Sequence, residues 1–425
     1  MEDRCLRSAR KSRGSVRRDR KNRCAIDLFA GCGGLTEGLK QAGFKVVGAI
    51  ELDDIAAKAY QLNHPSVHMW NSDIRGISGA AILSELKFEK GELDLLAGCP
   101  PCQGFSTMRT LNGKWTVEDP QNSLLFEFLR LVEELEPRAL MMENVPGLAA
   151  DERFTKFCAR LEELGYKGEH RVLNAADFRV PQRRRRLIYL ASKMGKIAFA
   201  TPSQKLKTVR EAIGVLPKAG ESGDAIHDLP EKRSKKIQKL IRSIPFDGGS
   251  RSDLPRSKQL ECHKRCNGFK DVYGRMAWDG VAPTITSGCF NPSKGRFLHP
   301  SEHRAITVRE AALLQGFPRR YQFDPTVGKS AIALMVGNAL PPPFICAHAR
   351  KIMSVLKKNA ESSSNEKQGV DQNARRYQSS LGRGVDRRST KRRYRSGSRS
   401  ALPRLRRLGK IQDTGLSHRK IVGRR

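Results

Sequence analysis

The chain has 425 residues and is strongly basic, with 79 lysines and arginines, 44 aspartates and glutamates, and a formal net charge of +35 at pH 7. This length allows one large domain with a smaller one beside it, and the charge predicts a polyanionic partner, most commonly nucleic acid. No apolar run approaches the roughly 20 residues of a membrane span, which argues against an integral membrane protein; ten cysteines without a compact framework argue for a reducing, cytoplasmic location.

Both ends of the chain concentrate positive charge. Residues 1–23 hold ten basic and three acidic side chains, and residues 370–425 hold eighteen and three. We predict that 1–22 and 357–425 are basic disordered segments that add salt-sensitive, sequence-independent affinity for nucleic acid. The alternative is a purely solubilising role. The chain between them is still clearly positive, so the prediction of a nucleic-acid partner does not depend on the ends.

Apolar runs alternate with amphipathic segments through the first half of the chain. Strands are predicted at 24–29, 45–50, 67–70, 93–97 and 139–142, with a basic strand at 183–190. Helices are predicted at 35–42, 55–60, 124–135 and 154–164. This alternation predicts an α/β, Rossmann-like domain whose mostly parallel sheet carries helices on both faces.

The pattern weakens after the basic strand. Residues 192–300 are rich in Lys, Arg, Gly, Pro and Ser, which predicts a smaller, loop-rich domain. Helical periodicity returns at 307–315, 330–336 and 343–356. We therefore predict one larger domain built from 23–191 and 301–356, with 192–300 inserted between its two parts.

Polar residues follow the predicted strands at the edge where open α/β sheets bind ligands. The turn 30–34, Ala-Gly-Cys-Gly-Gly, opens a helix and can present backbone amides to a ligand. Thr36 occupies the third glycine position of the dinucleotide fingerprint, which disfavours a nicotinamide dinucleotide. Glu51 suits a ribose diol and Asp73 an adenine amino group, so together they predict an adenosine-containing cofactor. For either acid alone, a helix N-cap is the favoured alternative.

Cys102 follows Pro100 and Pro101 at the end of the fourth predicted strand. It can be read as a redox partner of Cys99, as half of a zinc site, or as a nucleophile activated by nearby arginines and helix N-termini. Glu143, at the end of the fifth strand, could supply acid assistance to such a nucleophile.

A second zinc interpretation involves the cysteines and histidines of the loop-rich segment. Cys262, His263 and Cys266 are followed by His299 and His303, but the spacing between the two groups is long. We predict no metal site.

Six stretches resemble, in the same order, motifs of the cytosine-C5 DNA methyltransferases. They are 27–35 (DLFAGCGGL), 100–106 (PPCQGFS), 143–145 (ENV), 182–186 (QRRRR), 309–318 (RE followed by QGFP) and 337–341 (GNALP). The resemblance runs from about 25 to 340, with Cys99 where relatives often have glycine. It implies S-adenosylmethionine as methyl donor, in a pocket lined by Phe29, Gly31, Cys32, Gly33, Gly34, Glu51, Asp73, Ile74, Pro101, Leu124 and Asn338.

The resemblance also implies catalytic roles. Cys102 would attack C6 of a flipped-out cytosine, and Glu143 would hold N3 and the exocyclic amine. Arg186 would hold the base's O2, and Arg184 would help to organise the pocket. The alternative for the arginine run 183–186 is a phosphate-binding patch; in a strand only two of the four can face the pocket.

The implied partner is double-stranded DNA, with 192–300 as a target-recognition domain that reads base edges in the major groove. The loop 106–122 would close over the flipped base, the alternative being an ordinary surface loop. We expect a monomeric enzyme that is paired functionally with a restriction endonuclease. The rival interpretations are a tRNA cytosine-C5 methyltransferase on the same scaffold and a non-catalytic DNA-binding protein; Cys102, Glu143, Arg184 and Arg186 argue against the latter.

Overall fold

The computed structural model describes residues 22–101, 124–265 and 270–381, and its central element is a seven-stranded sheet. The strands are β1 Cys24–Leu28, β2 Lys45–Glu51, β3 His68–Asn71, β4 Leu95–Gly98, β5 Ala139–Asn144, β6 Lys167–Asn174 and β7 Arg185–Ser192, in the spatial order β3-β2-β1-β4-β5-β7-β6. The first five are parallel, whereas β7 is antiparallel to both β5 and β6. The predicted mostly parallel α/β sheet is confirmed.

Helices cover both faces of the sheet because its buried strands are apolar on both sides. The helices are α1 Gly34–Gln41, α2 Asp54–Asn63, α3 Gly79–Leu86, α4 Leu124–Leu135, α5 Glu152–Glu163, α6 Val209–Ile213, α7 Lys235–Ser243, α8 Glu261–Arg265, α9 Val308–Gln315, α10 Gly328–Asn338 and α11 Pro342–Leu381. Ala25, Ala49 and Ala97 face a core formed with α1, α2 and α11, while Ile26 and Leu96 face a second core formed with α3, α4 and α5.

Three elements differ from the sequence prediction. Strand β6 was not predicted because its alternate residues are polar and exposed, as on many edge strands. Helix α3 is short and was also missed; Ser78 caps it by accepting a hydrogen bond from the amide of Ala81. The sequence predicts no fold from 357 onward, whereas α11 continues to Leu381. Residues 357–381 contain many helix-favouring Lys, Ala, Glu and Gln residues and no proline, so local propensity extends the helix.

One stretch of the described chain, 325–361, is helical and apolar enough to cross a membrane by length and composition alone. It is interrupted between α10 and α11, and 61 % of its most apolar window is buried inside the protein. Phe344 and Ile345 are buried in the core formed with α1, α2 and α11, and Ile332 and Val336 are buried in a third core. Burial in the protein therefore accounts for its apolar character.

Ser192 ends β7, and the described residues of 193–300 contain three short α-helices, three 3₁₀ turns and no strand, so this segment is rich in loops; that 192–300 is a separate domain stays a prediction. It has a small core of Leu240, Ile241, Ile244, Leu254, Tyr273 and Leu298. Arg275 crosses this core with 0 % exposure. Its guanidinium donates to the carbonyls of Ile244 (3.2 Å), His299 (2.8 Å) and Ile241 (2.9 Å), and to that of Glu302. The Arg275 side chain thus provides hydrogen-bond donors for buried main-chain carbonyls that are not paired in a sheet.

Replacing Arg275 with leucine should unfold this segment. The substitution leaves several buried carbonyls without donors, each costing about 1–3 kcal/mol. We expect a fall in melting temperature and the loss of DNA binding, measured by calorimetry and by titration of a labelled duplex. Arg210→Leu is the control, because Arg210 is exposed and pairs with Asp279 at the surface. Equal stability of the two variants would contradict the role given to Arg275.

Candidate active site and cofactor cleft

The residues predicted to bind ligands lie at one edge of the sheet. Phe29 and the glycine turn follow β1, Glu51 ends β2, Asp73 and Ile74 follow β3, Pro101 follows β4, and Glu143 is the last residue but one of β5. Leu124 begins α4 and Asn338 ends α10. Cys102, together with the predicted closing loop 106–122, lies outside the described residues.

Glu143 and Arg186 form the charged centre of this edge. Because β7 is antiparallel to β5, its first residues lie beside the last residues of β5, with Ile188 opposite Glu143. Arg186 Nε is 2.8 Å from Glu143 Oε1, and the two side chains are 17 % and 9 % exposed. The contact has the distance of an ion pair without the alignment of a hydrogen bond, and Oε1 is buried with no hydrogen-bond partner within 22–101, 124–265 and 270–381. A buried carboxylate oxygen in this state can accept a hydrogen bond from a ligand.

Asn144 links this centre to the segment that leads to Cys102. Its Nδ2 donates to the carbonyl of Pro100 at 3.0 Å, and its Oδ1 accepts from the amide of Val145 at 2.8 Å. The side chain of the Glu-Asn-Val motif therefore holds the main chain two residues before Cys102. Sequence analysis quoted Asn144 in a motif but assigned it no role.

The arginine run alternates as expected for an extended chain. Arg183 and Arg185 are exposed, whereas Arg184 is buried and Arg186 is nearly so. Arg184 donates to the carbonyls of Ile285 (3.1 Å) and Gly337 (3.0 Å). Burial lowers the pKa of Arg184 to about 9, with a further contribution from Arg186, and the group remains a cation at neutral pH. These contacts hold the start of β7 against the loop-rich segment and the end of α10.

Gln182 is a second buried connector that sequence analysis did not single out. Its Nε2 donates to the carbonyl of Leu314 at 3.1 Å and to the side chain of Gln315, while its Oε1 accepts from the amide of Ile285 at 2.9 Å. With Arg184, it joins the start of β7 to the loop-rich segment and to α9. The only sequence signal was its place at the start of the 182–186 motif.

The glycine turn is held against the end of β2. The amide of Gly31 donates to Glu51 Oε2 at 2.7 Å, and the amide of Asp53 donates to Glu51 Oε1 at 2.8 Å. Phe29 has a left-handed φ of 59°, a conformation that non-glycine residues adopt at an energetic cost and often at functional sites. The ring of Phe29 is partly exposed and packs against the core formed with α3, α4 and α5.

For Glu51 and Asp73, the alternative to a cofactor-binding role is a helix N-cap. The α2 cap is Asp53 rather than Glu51, which leaves Glu51 at the cleft. Asp73 does cap the short turn Ile74–Gly76, and Arg75 holds its pKa below the ordinary value. The N-cap alternative therefore holds for Asp73, whose carboxylate is still partly exposed.

Leu52 was missed by sequence analysis. It follows Glu51 and is 64 % exposed, unusually high for a large apolar side chain next to a buried strand. Asn71 fixes its main chain by donating to the carbonyl of Leu52 at 3.2 Å. An exposed leucine between the ends of β2 and β3 offers an apolar surface to a flat ring. The only available signal was an apolar residue at a strand end that otherwise carries polar ones.

Asp27 lies below the glycine turn with 0 % exposure. Its Oδ2 accepts from the Thr36 hydroxyl at 2.7 Å, which also contacts the Tyr60 hydroxyl at 2.8 Å, while Oδ1 has no hydrogen-bond partner in the described part of the chain. Burial raises the pKa of Asp27 from 3.8 to about 7, and the charge of Glu51 adds to the shift.

This raised pKa predicts how stability depends on pH. The folded chain binds the Asp27 proton more tightly than the unfolded chain, so its stability is fully present below the unfolded pKa and declines as pH rises toward 7. Asp27→Asn removes this titration. Relative to the variant, the wild type should lose about 2 kcal/mol between pH 5 and pH 7, measured by urea unfolding. Parallel pH profiles would contradict the assignment.

Among the described residues, no group of three or more His, Cys, Asp or Glu side chains could hold a metal ion. His299 instead hydrogen-bonds the amides of Ser301 and Glu302 through Nδ1. The side chain of Cys262 and all of Cys266 lie outside the described residues.

Comparisons with known proteins identify the family of the chain. The model of the C-5 cytosine-specific DNA methylase family matches residues 24–354. The Type II methylase M.HgiDII of Herpetosiphon aurantiacus is 39 % identical over 333 residues, which cover 74 % of this chain and 91 % of the relative. The Type II methyltransferase M1.HphI of Haemophilus parahaemolyticus is 34 % identical, covering 78 % and 86 %.

A solved structure shows the same fold. A prophage-encoded DNA modification methyltransferase from E. coli aligns with a TM-score of 0.62 and 24 % identity, covering 79 % of this chain and 100 % of that one. A family match over most of the chain and the identity of the two relatives lead to one conclusion. The chain belongs to the C-5 cytosine-specific DNA methylase family.

Proposed function

We propose that this DNA (cytosine-5)-methyltransferase acts through a covalent bond between Cys102 and C6 of a cytosine flipped out of a specific double-stranded DNA sequence. The observation that carries the proposal is Glu143, a buried carboxylate whose Oε1 has no hydrogen-bond partner among the residues that the structure describes, although Arg186 lies 2.8 Å away. It shares an edge with the glycine turn, and Asn144 holds the main chain that leads to Cys102. Nucleophile, acid and cofactor turn would thus converge on one cleft.

The residues at the other end of this edge fit S-adenosylmethionine. The cofactor would supply an electrophilic methyl group. Phe29 and Leu52 would provide apolar surfaces for the adenine, and Glu51 would accept hydrogen bonds from the ribose. The remaining lining would come from Gly31, Cys32, Gly33, Gly34, Asp73, Ile74, Pro101, Leu124 and Asn338.

The chain's own groups would activate the cytosine. The Cys102 thiolate would add to C6, forming the S–C6 bond and moving the electron pair of the C5–C6 double bond onto C5. Glu143 would stabilise protonated N3, and Arg186 would stabilise charge at O2. C5 would form its bond to the methyl carbon as the bond from that carbon to the cofactor sulfur breaks, with S-adenosylhomocysteine as the leaving group. A base would then remove the C5 proton, the C5–C6 double bond would re-form, and the thiolate would leave. Flipping the base would cost about a few kcal/mol.

Trapping with a fluorinated substrate tests this proposal. A duplex with 5-fluorocytosine at the target carries fluorine where the departing proton should be, so elimination of the thiolate is blocked. Because the target sequence is unknown, a plasmid in which cytosine is randomly replaced by 5-fluorocytosine would serve as substrate. We expect a complex that survives denaturing electrophoresis and forms only with S-adenosylmethionine. No adduct, or an adduct with tRNA alone, would refute the proposal.

The names of the relatives also suggest a biological setting. M.HgiDII and M1.HphI are Type II enzymes, so we propose that this chain protects DNA within a restriction–modification system, as a cytoplasmic monomer paired with an endonuclease. Genomic DNA from cells that express the chain should carry 5-methylcytosine at one short sequence and resist an endonuclease that cuts there. Methylation scattered without a sequence pattern would contradict this role.

A further inference from the structure

Three side chains form a row of hydrogen bonds beneath the glycine turn. Lys40 Nζ lies 3.2 Å from His64 Nδ1, His64 Nε2 lies 3.1 Å from the Tyr321 hydroxyl, and that hydroxyl donates to the carbonyl of Cys32. The residues come from α1, the end of α2 and the loop after α9. His64 is 0 % and Tyr321 2 % exposed, whereas Lys40 is exposed, so the bonds of His64 Nε2 and of the Tyr321 hydroxyl form away from water. Sequence analysis flagged none of the three donors.

The chemistry of the groups fixes the direction of every bond. A lysine ammonium can only donate, so Nδ1 of His64 must accept. Burial and the charge of Lys40 lower the pKa of His64 to about 4, which keeps the imidazole neutral at physiological pH with its single proton on Nε2. Nε2 therefore donates to Tyr321, whose own proton is left for the carbonyl of Cys32.

His64 and Tyr321 lie close to Gly33 of the turn. Gly33 has a left-handed φ of 96°, and a methyl group on its Cα would lie 2.6 Å from the Tyr321 hydroxyl and 2.7 Å from His64 Nε2. On the other side, Glu51 accepts from the amide of Gly31 at 2.7 Å. The main chain of the turn is thus held from both sides, by an acid at the cleft and by two buried side chains behind it.

We propose that Tyr321 and His64 are positioning residues for the cofactor: by holding the Cys32 carbonyl, they orient the backbone amides of the turn toward S-adenosylmethionine. The inference rests on the proposed cofactor site. Tyr321 contacts the turn at the Cys32 carbonyl and His64 contacts the Tyr321 hydroxyl, so each acts through the main chain. Loss of either should weaken cofactor binding and leave turnover of the saturated enzyme nearly unchanged.

Tyr321→Phe removes only the hydroxyl. The main chain of Tyr321 keeps its own contact, since Arg309 Nη1 donates to its carbonyl at 2.7 Å. In the full-length protein we expect the dissociation constant for S-adenosylhomocysteine and the KM for S-adenosylmethionine to rise about three- to tenfold, the effect of one hydrogen bond. The kcat at saturating cofactor should stay within about twofold, and DNA affinity should not change.

Tyr166→Phe is the matched control. Its hydroxyl is equally buried and donates to the carbonyl of Pro137 at 2.6 Å, at the opposite edge of the sheet. We expect a similar loss of thermal stability in the control with wild-type cofactor constants. His64→Gln, which keeps a side-chain N–H for Tyr321, should bind cofactor better than His64→Leu.

Two results would overturn the inference: wild-type cofactor constants in Tyr321→Phe, or an equal rise in Tyr166→Phe. The first would show that the hydroxyl does not position the turn, and the second that any loss of stability weakens binding. If the wild-type protein itself fails to bind S-adenosylhomocysteine, the proposed cofactor site is what fails.

Discussion

Replacement of Cys102 by serine should abolish covalent capture of 5-fluorocytosine DNA and reduce methyl transfer below detection. A thiol has a reactive thiolate fraction near neutral pH, whereas a serine hydroxyl needs a strong base to attack carbon. The substitution should not disturb the cleft, because Pro100 is held independently by Asn144. Denaturing electrophoresis of the adduct and transfer of a labelled methyl group measure the two effects. Binding of S-adenosylhomocysteine should remain as in the wild type.

Cys99→Ser is the matched control for this experiment. Burial and the charge of Glu143 raise the pKa of the Cys99 thiol well above its ordinary value, so Cys99 is a poor nucleophile at neutral pH. We expect the control to form the adduct and to transfer methyl groups within a few-fold of the wild type. This outcome would also remove the interpretation of Cys99 and Cys102 as a redox pair. Adduct formation by Cys102→Ser would place the nucleophile elsewhere.

Glu143→Gln should lower kcat by about 10²- to 10⁴-fold, the range for loss of a general acid or base. Glutamine has nearly the same shape, but it has no negative charge with which to stabilise protonated N3. It also leaves Arg186 without its carboxylate partner, which should lower the melting temperature. DNA affinity should fall far less than kcat, because most of it comes from contacts with phosphates.

Glu169→Gln controls for the loss of a strand glutamate that pairs with an arginine. Glu169 lies on edge strand β6, and Arg171 Nε donates to its Oε1 at 2.8 Å on the exposed surface. We expect wild-type kcat and DNA affinity in the control. Equal losses of kcat and DNA affinity in Glu143→Gln would argue that this carboxylate supports folding or binding rather than chemistry.

The predicted strands agree with the structure where both faces are covered. Strands such as β1 and β4 are continuous apolar runs because helices pack on each side, and such runs are visible without a structure. β6 has polar, exposed residues in its first half and only partly buried ones in its second half, and this pattern does not stand out from a loop. Local sequence therefore identified the buried strands and the short edge strand β3 but missed the edge strand β6.

The same distinction holds for the candidate site. Glu51 and Glu143 could be placed at one edge from sequence because the carboxyl ends of parallel strands meet there. The partners of Asn144, Arg184 and Tyr321 could not, because each bonds to a main-chain carbonyl. Such an acceptor exists at every residue, so no residue type marks it. Only the packed chain selects one.

By itself, the sequence determined the α/β class and the family and predicted which edge of the sheet carries the candidate site, since these depend on hydrophobic periodicity and on residues close together in a motif. The tertiary structure alone decided that β7 runs antiparallel to β5, which places Arg186 against Glu143. It also decided that Tyr321, 289 residues after Cys32, supports the glycine turn. The physical reason is that strand direction and long-range hydrogen bonds depend on how the complete core packs. A local sequence pattern does not contain that information.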